Sequence, residues 1–179
     1  GYWYNVSHNN NGNVNSGAVL NAGVLYVLGF YVPVTQSFDQ VSFVVTTAGG
    51  AGTVARIGLW EAGGADDMGA LVVDSGTIAV ASTGTKATSV AWTGLKGFYR
   101  VGFVTDAATL AIRMTNGSTI DRFQYVPASD WYSGPPLLSF TGYSATATLP
   151  NPGTDAGRSA GAGAHNQGQD ALLINVRAA

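Results

Sequence analysis

Short segments rich in β-branched and aromatic residues recur along this chain, and glycine-containing turns such as AGGAG, TNGST and SGPP separate them. This recurrence predicts an all-β protein, because such residues favour the pleated strand. No stretch has the apolar spacing of a three-turn amphipathic helix with capping residues at its ends. The predicted strands are Ala18–Val32, Gln40–Thr47, Thr53–Trp60, Ala70–Ser82, Thr88–Trp92, Gly97–Thr105, Thr109–Met114, Arg122–Val126, Leu137–Leu149 and Ala171–Val176.

Several of these segments alternate between two faces, as strands in packed sheets do. The segment FYRVGFV alternates without interruption. In SFDQVSFVV the apolar residues Phe38, Val41 and Phe43 share a face, with a slip in the alternation at Asp39 and Gln40. The pattern predicts an antiparallel β-sandwich, of jelly-roll type.

The domain organisation follows from where this pattern begins and where it is interrupted. Residues 1–17 are aromatic and then rich in asparagine, which predicts an N-terminal arm. Residues 18–179 form one predicted sandwich domain, and residues 150–170 form a long Gly/Ala-rich loop within it. The chain has 179 residues, of which 46% are hydrophobic, enough for one domain with a core.

Composition argues against several classes of function. Only 10% of the residues are charged, the net charge is -2, and the eight cations are scattered, so no nucleic-acid partner is expected. The absence of cysteine excludes disulfides and thiolate metal sites. No apolar run is long enough for a membrane helix, and no signal peptide is expected. No cofactor is expected.

The middle of the chain carries a set of motifs in a fixed order: Val45-Thr46-Thr47, Arg56-Ile57-Gly58, Gly69 to Gly76, Thr83-Gly84 and Gly97 to Val101. Over Ser37–Ala107, and again in the closing ALLINVRA, the sequence resembles a module of bacteriophage tail fibres and minor structural proteins. The resemblance implies a jelly-roll-like sandwich in a virion, commonly a homotrimer that contacts other virion proteins and recognises a host surface. It assigns no binding residues.

The acidic loop EAGGADDMG raises the question of a metal site. Asp66 and Asp67 are adjacent, whereas calcium loops space their oxygen ligands, so a solvated hairpin tip is the preferred interpretation. Calcium bound with the help of backbone carbonyls stays open, and no metal ligand is assigned.

Catalytic residues are not predicted either. The segment GRSAG, residues 157–161, matches a nucleophile elbow in letters, with His165 nearby, but it lies in a Gly/Ala-rich loop without a strand before it or a helix after it. His8 has no metal-ligand spacing to a second histidine. The chain has one glutamate and nine aspartates, most of them in predicted turns, so a facing pair of carboxyl groups for glycoside hydrolysis is not evident.

Aromatic residues in predicted loops are the candidate binding residues. Trp131 and Tyr132, beside Asp130, lie in the turn-rich ASDWYSGPP and could stack on and hydrogen-bond a glycan; local packing is the alternative. Tyr2, Trp3 and Tyr4 are candidates for docking on a neighbouring subunit. By contrast, Trp60 and Trp92 lie in strands and are expected in the core.

These observations favour a non-enzymatic virion protein of tail-fibre type that assembles as an oligomer and presents loops to a host-surface polysaccharide. Two alternatives stay open. One is a capsid decoration or stalk-cap protein with a purely structural role. The other is a polysaccharide-degrading enzyme.

Overall fold

A computed structural model describes residues 3–5, 14–15, 19–63, 68–116, 138–151, 153, 158–159 and 170–179. Fifteen strands, and no helix, occur within these residues. The strands are β1 (Trp3–Asn5), β2 (Val14–Asn15), β3 (Val24–Val32), β4 (Gln36–Thr47), β5 (Val54–Ala62), β6 (Met68–Asp74), β7 (Ile78–Ala79), β8 (Gly84–Gly94), β9 (Gly97–Thr105), β10 (Ala111–Ile112), β11 (Met114–Asn116), β12 (Leu138–Thr141), β13 (Arg158–Ser159), β14 (Asp170–Leu172) and β15 (Asn175–Ala178).

The strands form two large antiparallel sheets and one small sheet. The five-stranded sheet has the order β1-β15-β4, with β10 and β8 also paired to β4. The seven-stranded sheet has the order β13-β12-β3-β9-β5-β6, with β7 also paired to β5. Strands β14, β11 and β2 form the small sheet. This architecture confirms the predicted all-β antiparallel sandwich; its jelly-roll type stays a prediction.

The main core lies between the two large sheets. Phe43 of β4 packs edge-on against Phe103 of β9, with ring centroids 5.0 Å apart. Trp92 of β8 meets Tyr99 of β9 in the same way at 4.8 Å. Alternate residues of β3, β5 and β9 point into this core, as the pleat requires.

A second core lies on the opposite face of the seven-stranded sheet. Leu25, Val27, Trp60 and Phe140 are fully buried there beneath the covering segment, residues 142–151. Strand β3 therefore has one core on each face, because Tyr26 and its alternate residues belong to the main core. This explains why VLYVLGFYV is apolar at every position instead of alternating with polar residues.

A largely buried ion pair holds the covering segment in place. The Arg56 guanidinium donates from Nη1 to Oδ2 of Asp74 at 2.8 Å and from Nε to the Ala145 carbonyl at 3.1 Å. The same Asp74 oxygen accepts from the Leu149 backbone N–H at 3.2 Å. The indole N–H of Trp60 donates to the Pro150 carbonyl at 3.0 Å. Arg56 and Asp74 both belong to the motifs of the tail-fibre resemblance, and here they act as structural residues.

The predicted strand boundaries agree with the structure only in part. Gly97–Thr105 is found with both ends as predicted. The predicted Ala70–Ser82 is two strands, because Gly76 has a φ of 67° and its N–H is held by Asp74 Oδ1 in a turn. The predicted Leu137–Leu149 strand ends at Thr141, where the covering segment begins. Arg122–Val126 lies outside the described residues.

The described parts of the predicted N-terminal arm are strands. β1 pairs with β15, and β2 pairs with β11. Most of the predicted loop 150–170 lies outside the described residues, but within it β13 pairs with β12. No helix in the described part of the chain is long and apolar enough to cross a membrane.

Candidate functional site

The candidate site begins with a β-bulge in β4. Opposite β15, Gln40 pairs with Arg177 and Phe38 with Ala178, so Asp39 is the extra residue on β4. Opposite β8 the register shifts at the same place, but there the extra residue is on β8. The slip expected from the sequence is thus a bulge, and it lets Asp39 reach a side chain on the outer face of the five-stranded sheet.

Asp39 forms a two-pronged ion pair with Arg177 of β15. Nε of Arg177 lies 2.7 Å from Oδ1 of Asp39, and Nη2 lies 2.9 Å from Oδ2. This parallel arrangement is the strong, directional form of an arginine–carboxylate contact. The pair remains accessible, with side-chain exposures of 35% for Arg177 and 41% for Asp39.

The two charges stabilise each other's ionised form. Hydrogen bonds from Arg177 lower the pKa of the Asp39 carboxyl below its ordinary value. The same hydrogen bonds raise the pKa of Arg177. Asp39 is therefore an ionised acceptor at neutral pH.

An aromatic ring extends the charged pair. Strand β1 pairs with β15 so that Trp3 lies opposite Arg177. The guanidinium carbon of Arg177 lies 5.6 Å from the centre of the Trp3 ring, within the range of a cation–π contact. The Trp3 side chain is still 49% exposed, so part of its ring is free to contact a ligand.

A shallow depression of about 370 Å³ adjoins Asp39. Its lining consists of Ser37, Phe38, Asp39, Val90, Ala91, Trp92 and Thr93. The hydroxyl oxygens of Ser37 and Thr93 lie 3.2 Å apart in a hydrogen bond at its rim. Trp3, Ser37, Asp39, Thr93 and Arg177 are together named the sheet-face site.

The sheet-face site combines an exposed aromatic ring with a carboxylate, a guanidinium and two hydroxyls. Aromatic rings bury apolar area at little entropic cost, and the charged groups make short hydrogen bonds to hydroxyl or carboxylate partners. A sugar offers both kinds of surface, with C–H faces and hydroxyl edges. The arrangement suits binding of an extended polar ligand lying across the sheet.

No family model matches this chain, and no curated protein matches it.

Several sequence-predicted site residues cannot be compared with the sheet-face site. Asp130, Trp131 and Tyr132, the predicted glycan contacts, lie outside the described residues, and so does Tyr2. Tyr4 belongs to β1, but its side chain is not described. Of the predicted docking residues, only Trp3 contributes a described side chain.

The residues considered as metal ligands cannot be compared with the structure either. Asp66, Asp67, His8 and His165 lie outside the described residues. Among the residues that are described, no group of three or more His, Cys, Asp or Glu could hold a metal ion. Ser159 of GRSAG lies in the two-residue strand β13, paired with β12, whereas a nucleophile elbow needs a turn from strand to helix.

Two further aspartates have structural partners. Asp74 holds Arg56 and the covering segment, as described above. Asp106 accepts the backbone N–H of Val54 at 2.7 Å.

Sequence reasoning missed Asp39, Arg177, Ser37 and Thr93 as members of a site. One signal was present, since the slip at Asp39 marks a bulge, and bulges often redirect a side chain at a functional surface. Nothing local indicated that Arg177 would lie beside it, because 138 positions separate the two residues.

Proposed function

We propose that this protein is a non-catalytic structural protein of a bacteriophage particle, of tail-fibre type, that binds host-surface glycan. The resemblance of Ser37–Ala107 to tail-fibre modules supports the virion assignment. The resemblance also suggests assembly as a homotrimer with other virion proteins. The observation that carries the binding role is the exposed Trp3 ring beside the ordered Arg177–Asp39 pair.

The geometry of the sheet-face site favours weak, repeated binding. The ion pair fixes two polar groups before any ligand arrives, which lowers the entropy lost on binding. The depression is shallow, so one site buries little of a sugar chain. Several copies on one particle would raise the overall avidity without any new contact.

The state of Asp39 supports binding rather than catalysis at this site. A glycosidase acid needs a raised pKa and a second carboxyl group across the cleft. Asp39 has a lowered pKa and faces a guanidinium. It is a hydrogen-bond acceptor for sugar hydroxyls in this proposal.

Binding to an array of bacterial capsular and O-antigen oligosaccharides tests the proposal. We expect saturable binding without turnover. Replacing Trp3 by Ala should weaken binding about 3- to 10-fold, the loss expected for one ring contact. Phe98→Ala is the matched control, because Phe98 is an exposed aromatic residue of the other large sheet.

Three results would each contradict this proposal in a different way. Loss of binding in Trp131→Ala, with Trp3→Ala unchanged, would move the glycan site to the predicted loop. Turnover of a polymer, abolished by an Asp→Asn change, would support the polysaccharide-degrading enzyme instead. No binding to any surface glycan by a folded protein would overturn the binding role.

One surface favours the alternative role as a decoration or stalk-cap protein. Val34, Leu95 and Phe98 are exposed at one end of the sandwich, with Leu95 at 64%, and the Phe98 ring contacts Tyr31 at 4.7 Å. A hydrogen bond of 3.2 Å from Lys96 N to Thr35 Oγ1 brings the two turns together. Exposed apolar patches of this kind mark protein contacts. If Leu95→Glu abolishes binding to particles lacking the protein and leaves glycan binding intact, this patch is the docking surface.

A further inference from the structure

Strand β8 lies at an edge of the five-stranded sheet. It pairs with β4 from Gln36 to Val45, and no strand in the described part of the chain pairs with its other side. Eleven residues long, it alternates between exposed and half-buried side chains as far as Thr93. The backbone N–H and C=O groups of β8 that point away from β4 therefore form a long row at the edge of the sheet.

This edge carries one bulge, where Val90 and Ala91 of β8 lie opposite Asp39 of β4, and little other protection. Natural edge strands are commonly short, bulged, or guarded by charges and proline. β8 contains one charged residue, Lys86, and no proline. The exposed side chains of β8 lie on the outer face of the sheet and are here named the outward row. They are Thr85, Ala87, Ser89, Ala91 and Thr93, all small and uncharged.

The sequence of β8 reads almost the same in both directions around Ser89. The eleven residues are GTKATSVAWTG. An antiparallel pair of two such strands, with Ser89 opposite Ser89 on the two-fold axis, places glycine opposite glycine at the ends. The register further gives Thr85 opposite Thr93, Ala87 opposite Ala91, Lys86 opposite Trp92 and Thr88 opposite Val90.

We propose that a second copy of this chain pairs with β8 in this register, forming a two-fold dimer with one continuous sheet. An isologous contact of this kind requires a self-complementary surface, which the near-palindrome supplies. The whole outward row then meets its own residue types across the axis.

On the core face of β8, Lys86 and Trp92 of the two copies are also complementary in this register. Lys86 pairs with the buried Phe43, so its side chain lies on the core side of β8, and Nζ donates to Ser82 Oγ at 2.7 Å. Trp92 is half-buried at the margin of the core, stacked on Phe38 at 4.8 Å. In the dimer each Lys86 lies opposite Trp92 of the other copy, the partners of a cation–π contact.

The dimer does not rest on the proposed glycan function. Its axis stands perpendicular to the sheet, so both sheet-face sites lie on the same side of the continuous sheet. A two-fold contact and the suggested homotrimer coexist only in a six-chain assembly with both symmetries. The number of chains in solution therefore separates the two ideas.

Cysteine scanning tests the register directly, because the chain has no native cysteine. Directly opposed residues have Cα atoms about 4.5–5.5 Å apart, within disulfide range. Ser89→Cys should form a covalent dimer on mild oxidation. Ala87→Cys alone should not, whereas a mixture of Ala87→Cys and Ala91→Cys should link.

Matched charge variants test the contact in solution by light scattering. Ala87→Lys/Ala91→Lys places like charges opposite each other and should reduce the mass to half of that of the unmodified protein. Ala87→Glu/Ala91→Lys alters the same exposed positions but opposes unlike charges, so its mass should be unchanged. Circular dichroism checks that both variants fold.

The results that overturn the proposal are equally clear. An unmodified protein that is monomeric at about 100 μM, together with a Ser89→Cys variant that forms no cross-link, shows that the edge stays unpaired. A trimer whose mass neither double variant changes places the subunit contact elsewhere. A six-chain assembly that the Lys/Lys variant reduces to three supports both contacts.

Discussion

The indole ring of Trp60 packs against the backbone of Gly102 so closely that a Cβ atom at position 102 would lie 2.7 Å from Cζ3 of the ring. Gly102 lies opposite Gly58 in the register of β9 and β5, and the ring also covers Gly58. Two glycines on adjacent strands thus form the surface on which the buried tryptophan rests. The second core depends on the absence of these side chains.

The first prediction follows from this contact. Gly102→Ala should lower the free energy of unfolding by about 1–3 kcal/mol, because the added methyl group must displace Trp60 or Leu25. Chemical denaturation gives the value. In a Trp60→Leu background the same change should cost much less, and equal costs in the two backgrounds would show that the ring is not the obstacle.

The second prediction concerns the covering segment. Asp74→Asn leaves the largely buried Arg56 guanidinium without its counter-charge and should destabilise the protein by about 3 kcal/mol. Hydrogen exchange should increase first at Leu149, whose N–H is held by Asp74. The control is Asp106→Asn, which changes an exposed carboxylate that accepts a backbone N–H and should cost about 1 kcal/mol. Equal losses in both variants would contradict a special role for the ion pair.

The third prediction is a pH dependence at the sheet-face site. The pKa of Asp39 is lowered in the folded protein below its ordinary 3.8, chiefly by hydrogen bonds from Arg177. Its contribution to stability is therefore present above pH 3.8 and is lost as the pH falls through the lowered value. Asp39→Asn should be less stable than the unmodified protein at pH 7, and the two should converge in acid. A difference that persists unchanged at about pH 2 would show that the charge is not its source.

The fourth prediction concerns alkaline pH. Burial raises the pKa of Tyr26 above 10.0, although its hydroxyl accepts the Asn21 N–H at 3.0 Å. The unfolded chain then loses this proton before the folded one does, so stability falls as the pH rises past about 10. Tyr26→Phe should lose about 1 kcal/mol at pH 7 and show a shallower alkaline decline. Burial also raises the pKa of Tyr99, so some decline should remain; unfolding midpoints from pH 7 to about 11 measure it.

The alternation of side chains along the sequence predicted the features that depend only on neighbouring residues. The alternation of residues 97–105 defined β9 at both ends, and the slip at Asp39 marked the bulge. The same alternation did not predict a strand break that depends on the backbone conformation of one residue. Gly76 has a positive φ and divides an apolar run into β6 and β7. The alternation also failed to show that the apolar run of β3 has cores on both faces, because the covering segment comes much later in the chain.

The candidate site was the least predictable part. Its members come from β1, β4, β8 and β15, and only the sheet pairing brings them together. Tryptophan in a presumed arm and arginine near the chain end have no local feature in common. The predicted loop site at Asp130, Trp131 and Tyr132 stays a separate prediction.

The position of β15 between β1 and β4 has a consequence for biosynthesis. β1 is translated long before the strand that it pairs with, β15, whose Arg177 lies opposite Trp3. During synthesis β1 must therefore wait for its partner until β15 and the residues between the two strands have left the ribosome. The sheet-face site, which includes residues of both strands, can form only after β15 has left the ribosome.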